Sequence, residues 1–515
     1  MKNLPVGIQS FKDLREGNYL YIDKTEYIYE LVKYPHGVYF LSRPRRFGKS
    51  LLISTLNEIF LGNKELFKGL WIYNSNYNWE KYPVIRIDFS KMKAETKEEL
   101  KELINLTLKK IAQSYEIELE AQLYIARLDE LIYKLSRKYN KHIVILIDEY
   151  DKPILDHIDN VERAVEMREI LKGFYTVIKG SDEYIRFVLL TGVSKFSKAG
   201  VFSGLNNLED ITMTEKFNTI LGITEEELEK YFGEYIDELS RKEGISREAT
   251  LNEIREWYNG YCFSRNCERV YNPFSILRLF KDRNFTNYWF ETGTPSFLIN
   301  LLKNKNFNIT RIPLKVVETS FTVYEVDKLE VVPLLFQTGY LTIAGYDKEY
   351  GEYVLDYPNR EVKKSFTEIL LKEYTGDEMN GSYVIELKRA INKKDLEKFF
   401  EVLQDIFHQI PYDIVIKKER YYQSIFYLIF TLIGVDINTE VRTDRGRIDA
   451  VVETGDRIYI FEFKLYGKSG EALQQIKEKK YYEKYVSGGK DIILIGAGFN
   501  PEEEKIIEYK IESII

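Results

Sequence analysis

In "GRIDAVVETGDRIYIFEFKLY" two carboxylates and an amine are spaced for phosphate chemistry. Glu462 and Lys464 are two residues apart, so on a strand both leave the same face, while Phe461, Phe463 and Leu465 take the other. Asp449 begins a preceding strand, and the Thr-Gly-Asp turn at 454–456 returns the chain toward Glu462. Two carboxylates hold Mg²⁺, which makes a bound water more acidic, and a lysine stabilises the charge that develops on a phosphodiester. The plain alternative is a solvated strand face, where Glu and Lys often alternate. Against it, the flanking strand is apolar, and Glu419 on the preceding helix offers a further carboxylate, with Glu440 competing for that role.

A second group lies in "FLSRPRRFGKSLLI". The strand-like "GVYFLS" (37–42) feeds Gly48, Lys49 and Ser50, which precede an apolar helical run. Backbone N–H groups at such a turn cradle phosphates; Lys49 would neutralise β- and γ-phosphate charge and Ser50 would ligate Mg²⁺. The general phosphate-loop pattern has a glycine where Arg43 stands. Arg43, Arg45 and Arg46 bring cationic charge near the phosphates, partly offsetting the lost glycine, although a solvated basic turn explains Arg45 and Arg46 as well. Downstream, "HIVILIDEY" is an apolar strand ending in Asp148 and Glu149. Asp148 would hold Mg²⁺ and Glu149 would polarise an attacking water, and Thr191 would sense the γ-phosphate. Helix capping by the acids and loop bonding by Thr191 are the structural alternatives. The order strand, GKS, helix, strand, helix, strand, DE, helix, strand, Thr favours a nucleotide site binding ATP and Mg²⁺.

Alternating apolar runs and amphipathic stretches over the first two hundred residues imply a parallel α/β sheet. Strands are expected at 37–42, 82–90, 142–150 and 184–192, with helices at 48–60, 95–139 and 159–180. The pattern turns helical and mixed from about 215, with a Thr-capped helix at 224–242, a helix opened by Pro273 and a helix-hairpin unit at 329–343. A helix at 418–434, a strand pair at 439–466, a charged helix at 470–486 and a strand at 491–499 close the chain. The expected domains are 1–215, 216–375 and 376–515.

With 515 residues, 44% hydrophobic and 30% charged, the chain suits a multidomain globular protein rather than a disordered one. The net charge of −7 restricts nucleic-acid contact to a local basic surface, for which Lys477, Lys479 and Lys480 are candidates. No apolar run reaches the ~18 residues that span a bilayer, and the N-terminus lacks a signal pattern, so a cytoplasmic protein without membrane contact is expected. Cys262 and Cys267 lack nearby metal-ligand partners and read as a reduced structural pair. The composition, poor in Cys, Met and His, suits a prokaryote.

Taken together, "YIDKTEYI", "RPRRFGKSLL", "VILIDEYDKPI", "LTGVSKFSKAGVFSGLNNLEDIT", "WYNGYCF", "YNPFSIL" and "LLFQTGYLTI" make the chain resemble a two-domain prokaryotic family with an AAA-ATPase-like N-terminal part and a PD-(D/E)XK nuclease-like C-terminal part. The resemblance covers nearly the whole chain, and RPRRFGKS is the form of the loop characteristic of that family. It implies an α/β fold: an AAA-like P-loop NTPase parallel sheet, a helical lid with a mixed region, and a restriction-endonuclease-like α/β domain. It further implies Asp449, Glu462 and Lys464 as the D…ExK set, with Ile448 in place of the usual proline, Glu419 as the first acid and Gln475 as the Q-I residue. The expected function is an ATP-binding protein, an ATPase by expectation, coupled to a Mg²⁺-dependent nuclease domain acting on nucleic acid, DNA ahead of RNA. The alternatives are a nucleotide-responsive switch whose nuclease-like domain binds nucleic acid or a partner without cutting, and an ATPase with a C-terminal recognition module. Self-association stays open, since no arginine finger stands out.

Overall fold

The computed structural model describes residues 1–515 apart from 197–200, 203–204, 206, 267, 290–295, 306, 324, 326–327, 377–380, 409, 411–418, 435, 444–445, 501–504 and 515. The side chains of Glu419, Glu440 and Leu465 also lie outside the described residues. The chain forms two compact units, residues 1–298 with 313–362, and residues 299–312 with 363–515.

The first unit is built on strands β1 (Gly37–Ser42), β2 (Val84–Asp88), β3 (Ile143–Asp148), β4 (Ile185–Gly192) and β5 (Glu209–Asp210). All pair parallel in the order β2-β3-β4-β1-β5. Every residue of β3 is buried, as expected of a central strand covered on both faces. Leu52, Ile53 and Leu56 of the helix Lys49–Phe60 pack with Leu41, Val144, Leu146 and Leu189 of the sheet. Full burial of each such side chain contributes about 1.5–3 kcal/mol.

The charged stretch expected as one helix over 95–139 is two, Lys97–Ser114 and Tyr124–Tyr139. Each is amphipathic, burying Leu100, Ile104 and Leu108 in one and Leu128, Leu131 and Leu135 in the other. Folding back lets both short faces reach the same core, which a single straight rod would not allow.

The helix Glu225–Glu243 begins with a capping box: Thr224 accepts from the Glu227 amide and Glu227 accepts from the Thr224 amide. It packs through Leu228, Phe232 and Ile236 against Ile254 of Arg247–Tyr258 and Ile276 and Leu279 of Pro273–Asp282. Leu4, Leu20 and Ile22 join this cluster, so the N-terminal segment lies against these helices. A small antiparallel sheet of β6 (Leu314–Val316), β7 (Thr342–Asp347) and β8 (Glu352–Asp356) follows, with the helix Val331–Thr338 between β6 and β7. Cys262 is buried and disulfide-bonded rather than reduced, and Cys267 lies outside the described residues.

The second unit carries β9 (Asp436–Thr443), β10 (Gly446–Glu453), β11 (Arg457–Leu465), β12 (Asp491–Asn500) and β13 (Lys505–Ile514), in the order β13-β12-β11-β10-β9. Three strands lie between the helices Glu419–Ile433 and Ser469–Glu478. Only β11 and β12 pair parallel; the other neighbours are antiparallel. Phe461 and Phe463 meet Phe430 and Phe426 of the helix Glu419–Ile433, at ring separations of 5.5 Å and 4.4 Å. Ile460 and Leu494 pack instead with Leu473 and Ile476 of the helix Ser469–Glu478. The alternation along β11 therefore separates an aromatic core face from the face that carries Glu462 and Lys464.

Two candidate phosphate-handling sites

The first site forms at the C-terminal edge of the parallel sheet. Gly48 takes φ 94°, a left-handed conformation that glycine adopts without Cβ strain, and caps the helix beginning at Lys49. Ser50 is half-buried in the first turn. The Lys49 ammonium is buried, donating to the carbonyls of Arg43 at 2.9 Å and Pro44 at 3.0 Å. Burial pushes its pKa below the ordinary value, opposed by the carboxylates of Glu149, Asp148 and Asp151. Lysine and acids thus share one electrostatic neighbourhood.

Asp148, 3% exposed, ends β3, and Thr191 of β4 donates to it at 2.7 Å. Because β4 lies between β1 and β3, Thr191 stands between the loop strand and the acidic strand. Glu149 holds φ 49°, which is strained for a side chain of its kind. Burial raises its pKa, with Asp148 and Asp88 raising it further against Lys49.

One of the expected roles changes. Arg43 is 1% exposed, and its guanidinium donates to the carbonyls of Ser42, Thr212, Phe217 and Asn218. Both terminal nitrogens donate to main chain and the side chain is buried, so it braces the loop rather than reaching out of it. Burial pulls its pKa to about 9, leaving it charged at neutral pH. Arg46 is exposed and lies over the Phe274 ring at 5.2 Å.

Asp88 and Asp151 were missed by the sequence reading. Asp88 ends β2 in register with Asp148, and only strand pairing puts them side by side. Asp151 is buried and accepts from the amides of Val193 and Ser194 at 3.0 Å and 2.6 Å, which fixes the chain leaving Thr191. The "IDEYD" string was the available signal. Burial pushes the Asp151 carboxyl up to about 6. Since the unfolded chain ionises first, this group's stability is greatest below about pH 4 and falls by about 3 kcal/mol as pH rises to about 6. Thermal melts across that window should show Asp151→Asn flattening this slope; an unchanged slope refutes the assignment.

At the second site, Ala450 pairs with Phe461 across the antiparallel β10–β11 ladder, which makes Asp449 and Glu462 cross-strand neighbours on one face. Asp449 lies within β10 rather than at its start, and accepts from the Phe463 amide at 2.8 Å. Glu462 is 2% exposed. The Gln475 side-chain amide donates to Glu462 while its carbonyl accepts from Lys464. One amide therefore orients both the acid and the amine, and Gln475 reaches them from the helix Ser469–Glu478. Glu419 begins the helix Glu419–Ile433.

Two glycines missed by the sequence reading allow that approach. Gly496 and Gly498 of β12 lie in register with Glu462 and Lys464. A Cβ on Gly496 would come within 2.3 Å of the Ser469 carbonyl, and one on Gly498 within 2.5 Å of the Gly467 carbonyl. Gly496→Ala should push the helix outward and separate Gln475 from Glu462, and any metal-dependent activity of this face should fall on the order of 10–100-fold, as for residues that orient metal ligands. Activity assays and circular dichroism would check this; full activity in a folded variant overturns it.

Two acids with their oxygen donors fit Mg²⁺, which keeps several waters and uses substrate phosphate as further ligand. No group of three or more His, Cys, Asp or Glu residues able to hold a metal gathers among the described residues. Lys477 pairs with Glu512 at 2.5 Å and Lys480 with Glu483 at 3.1 Å, both as exposed surface ion pairs. Among the described residues no helix is long and apolar enough to cross a membrane.

A family model described as Predicted AAA-ATPase matches residues 5–202, and one described as PD-(D/E)XK nuclease superfamily matches residues 417–509. Over 530 aligned positions the chain is 38% identical to "Uncharacterized protein in vnfD 5'region" from Azotobacter chroococcum mcd 1, covering 100% of this chain and 99% of that protein. With an ATPase-like loop and sheet in one unit and a D…ExK face in the other, the chain belongs to the family that joins an AAA-ATPase-like domain to a PD-(D/E)XK nuclease superfamily domain.

Proposed function

We propose that the protein binds ATP with Mg²⁺ at the loop site and hydrolyses phosphodiester bonds in nucleic acid at the D…ExK face, with nucleotide state controlling the cutting. The observation that carries the cutting is the alignment of Asp449, Glu462, Lys464 and Gln475 on one face. Asp449 and Glu462 would hold Mg²⁺, which when bound polarises phosphate and acidifies water. Lys464 stabilises the charge developing on the scissile phosphate, and Gln475 keeps Lys464 and Glu462 in position. Attack by water makes no use of a 2′-hydroxyl, so DNA, the substrate we favour, is a competent one.

At the loop, Lys49 exchanges its carbonyl partners for β- and γ-phosphate oxygens, while Ser50 and Asp148 would hold Mg²⁺. Glu149, its pKa raised, is suited to take a proton from attacking water. Beside Gly48 lies a cavity of about 110 Å³ lined by Leu14, Leu20, Ile22, Leu221 and Phe232. Its apolar walls suit a flat base next to the phosphates. Lys24, at the same cavity, links the N-terminal segment to Thr219 and Glu227.

The non-cutting alternative draws on the deep burial of Glu462 and its bond to Gln475. Plasmid DNA, single-stranded DNA and RNA incubated with Mg²⁺ or Mn²⁺, with and without ATP, separate the two. Metal-dependent cutting that changes with ATP is expected. Retention of nucleic acid in gel shifts with no cutting under either metal would establish the binding module instead.

A further inference from the structure

One residue touches both Lys49 and the chain leading to the helix Glu225–Glu243. The main-chain carbonyl of Arg43 accepts from Lys49 at 2.9 Å. Its guanidinium, packed 4.1 Å from the Phe263 ring centre, donates to Thr212 at 2.8 Å, Phe217 at 3.1 Å and Asn218 at 3.3 Å, all main-chain carbonyls. The segment so gripped has further anchors. Thr212 accepts from the Ser42 amide at 3.1 Å, and Asn218 accepts from the Phe263 amide at 3.1 Å. Beyond it, residues 220–223 line the cavity beside Gly48, and Thr224 caps the helix Glu225–Glu243.

We propose that Arg43 is a positioning residue that transmits occupancy of Lys49 to residues 212–218 and so to the helices that follow. This rests on the nucleotide reading above. When phosphate draws the Lys49 ammonium away, the Arg43 carbonyl loses a charged donor and the loop entrance resets. The guanidinium is a planar fork with donors in fixed directions, so it carries that movement to carbonyls on both sides of its plane edge as one body. A glycine at position 43 would free the loop but sever this link. Lysine there keeps the charge, yet its single ammonium cannot span Thr212 and Phe217 with the same geometry.

The test is amide hydrogen exchange of the full chain with and without ATP, alongside ATP affinity by fluorescence, for wild type, Arg43→Lys and Arg43→Ala. In wild type, ATP should slow exchange at 43–51 and shift exchange at 212–218 on the order of tenfold, an ordinary coupling strength. In Arg43→Lys the protection at 43–51 should persist while the response at 212–218 disappears. A wild-type response at 212–218 in Arg43→Lys overturns the proposal. Loss of both responses together in folded Arg43→Lys also overturns it, since a plain structural strut would behave that way. Arg43→Ala should repeat the uncoupling; if it does not fold, Arg43→Lys alone decides. Absence of ATP binding in wild type would refute the nucleotide reading itself, a result distinct from failed coupling.

Discussion

Glu462→Gln is expected to lower metal-dependent cleavage on the order of 10³-fold while leaving the second unit folded. The substitution nearly preserves volume on a 2% exposed side chain, so no cavity opens around it. What changes is charge and hydrogen-bond sense. A neutral amide is a poor Mg²⁺ ligand, and its NH₂ can be turned toward the NH₂ of Gln475, which now donates to Glu462. Both losses act on the same step, one on metal affinity and one on the orientation of Lys464. Calorimetric metal titration should show weakened binding in parallel with the lost rate. Lys464→Ala should differ: cleavage falls on the order of 10²–10³-fold with metal affinity largely kept. Wild-type cutting by Glu462→Gln would remove this face from the chemistry.

Lys49→Ala should weaken ATP binding by roughly 30-fold to several thousandfold, the usual range for truncating one partner of a buried charge pair (about 2–5 kcal/mol). Stability should move far less. In the unliganded protein Lys49 is a desolvated cation whose compensation comes from two loop carbonyls and nearby acids, so its removal relieves a burial cost while losing those contacts. A nucleotide titration followed by a thermal melt distinguishes the two effects. ATP-induced stabilisation should vanish, and the melting temperature without ATP should stay within a few degrees. Phosphate release equal to wild type in Lys49→Ala would discard the loop as a catalytic nucleotide site.

Much of this arrangement is legible in local sequence. Period-two alternation puts Glu462 and Lys464 opposite Phe461 and Phe463, and the turn at 454–456 sends β11 back along β10. The apolar run at 143–148 requires cover on both faces, so a central strand follows from composition alone. Gly48, Lys49 and the helix behind them follow from nearest-neighbour geometry in the same way. Where the reading fell short, the deciding partner was distant in sequence. Arg43 reads as a phosphate contact until Thr212, Phe217 and Asn218 bring their carbonyls to its guanidinium. Asp88 acquires a role only through its register with Asp148, and Gly496 only through the Ser469 carbonyl that leaves no room for a Cβ.

The sequence by itself determined the element types, the side on which each reactive group leaves its strand, and the chemical kinds brought to each site. Backbone periodicity and turn chemistry act over a few residues, so a linear string suffices for them. Tertiary structure alone decided that the Arg43 charge is spent on main-chain carbonyls and that Asp88 stands beside Asp148, because burial and strand register are set by groups far apart along the chain.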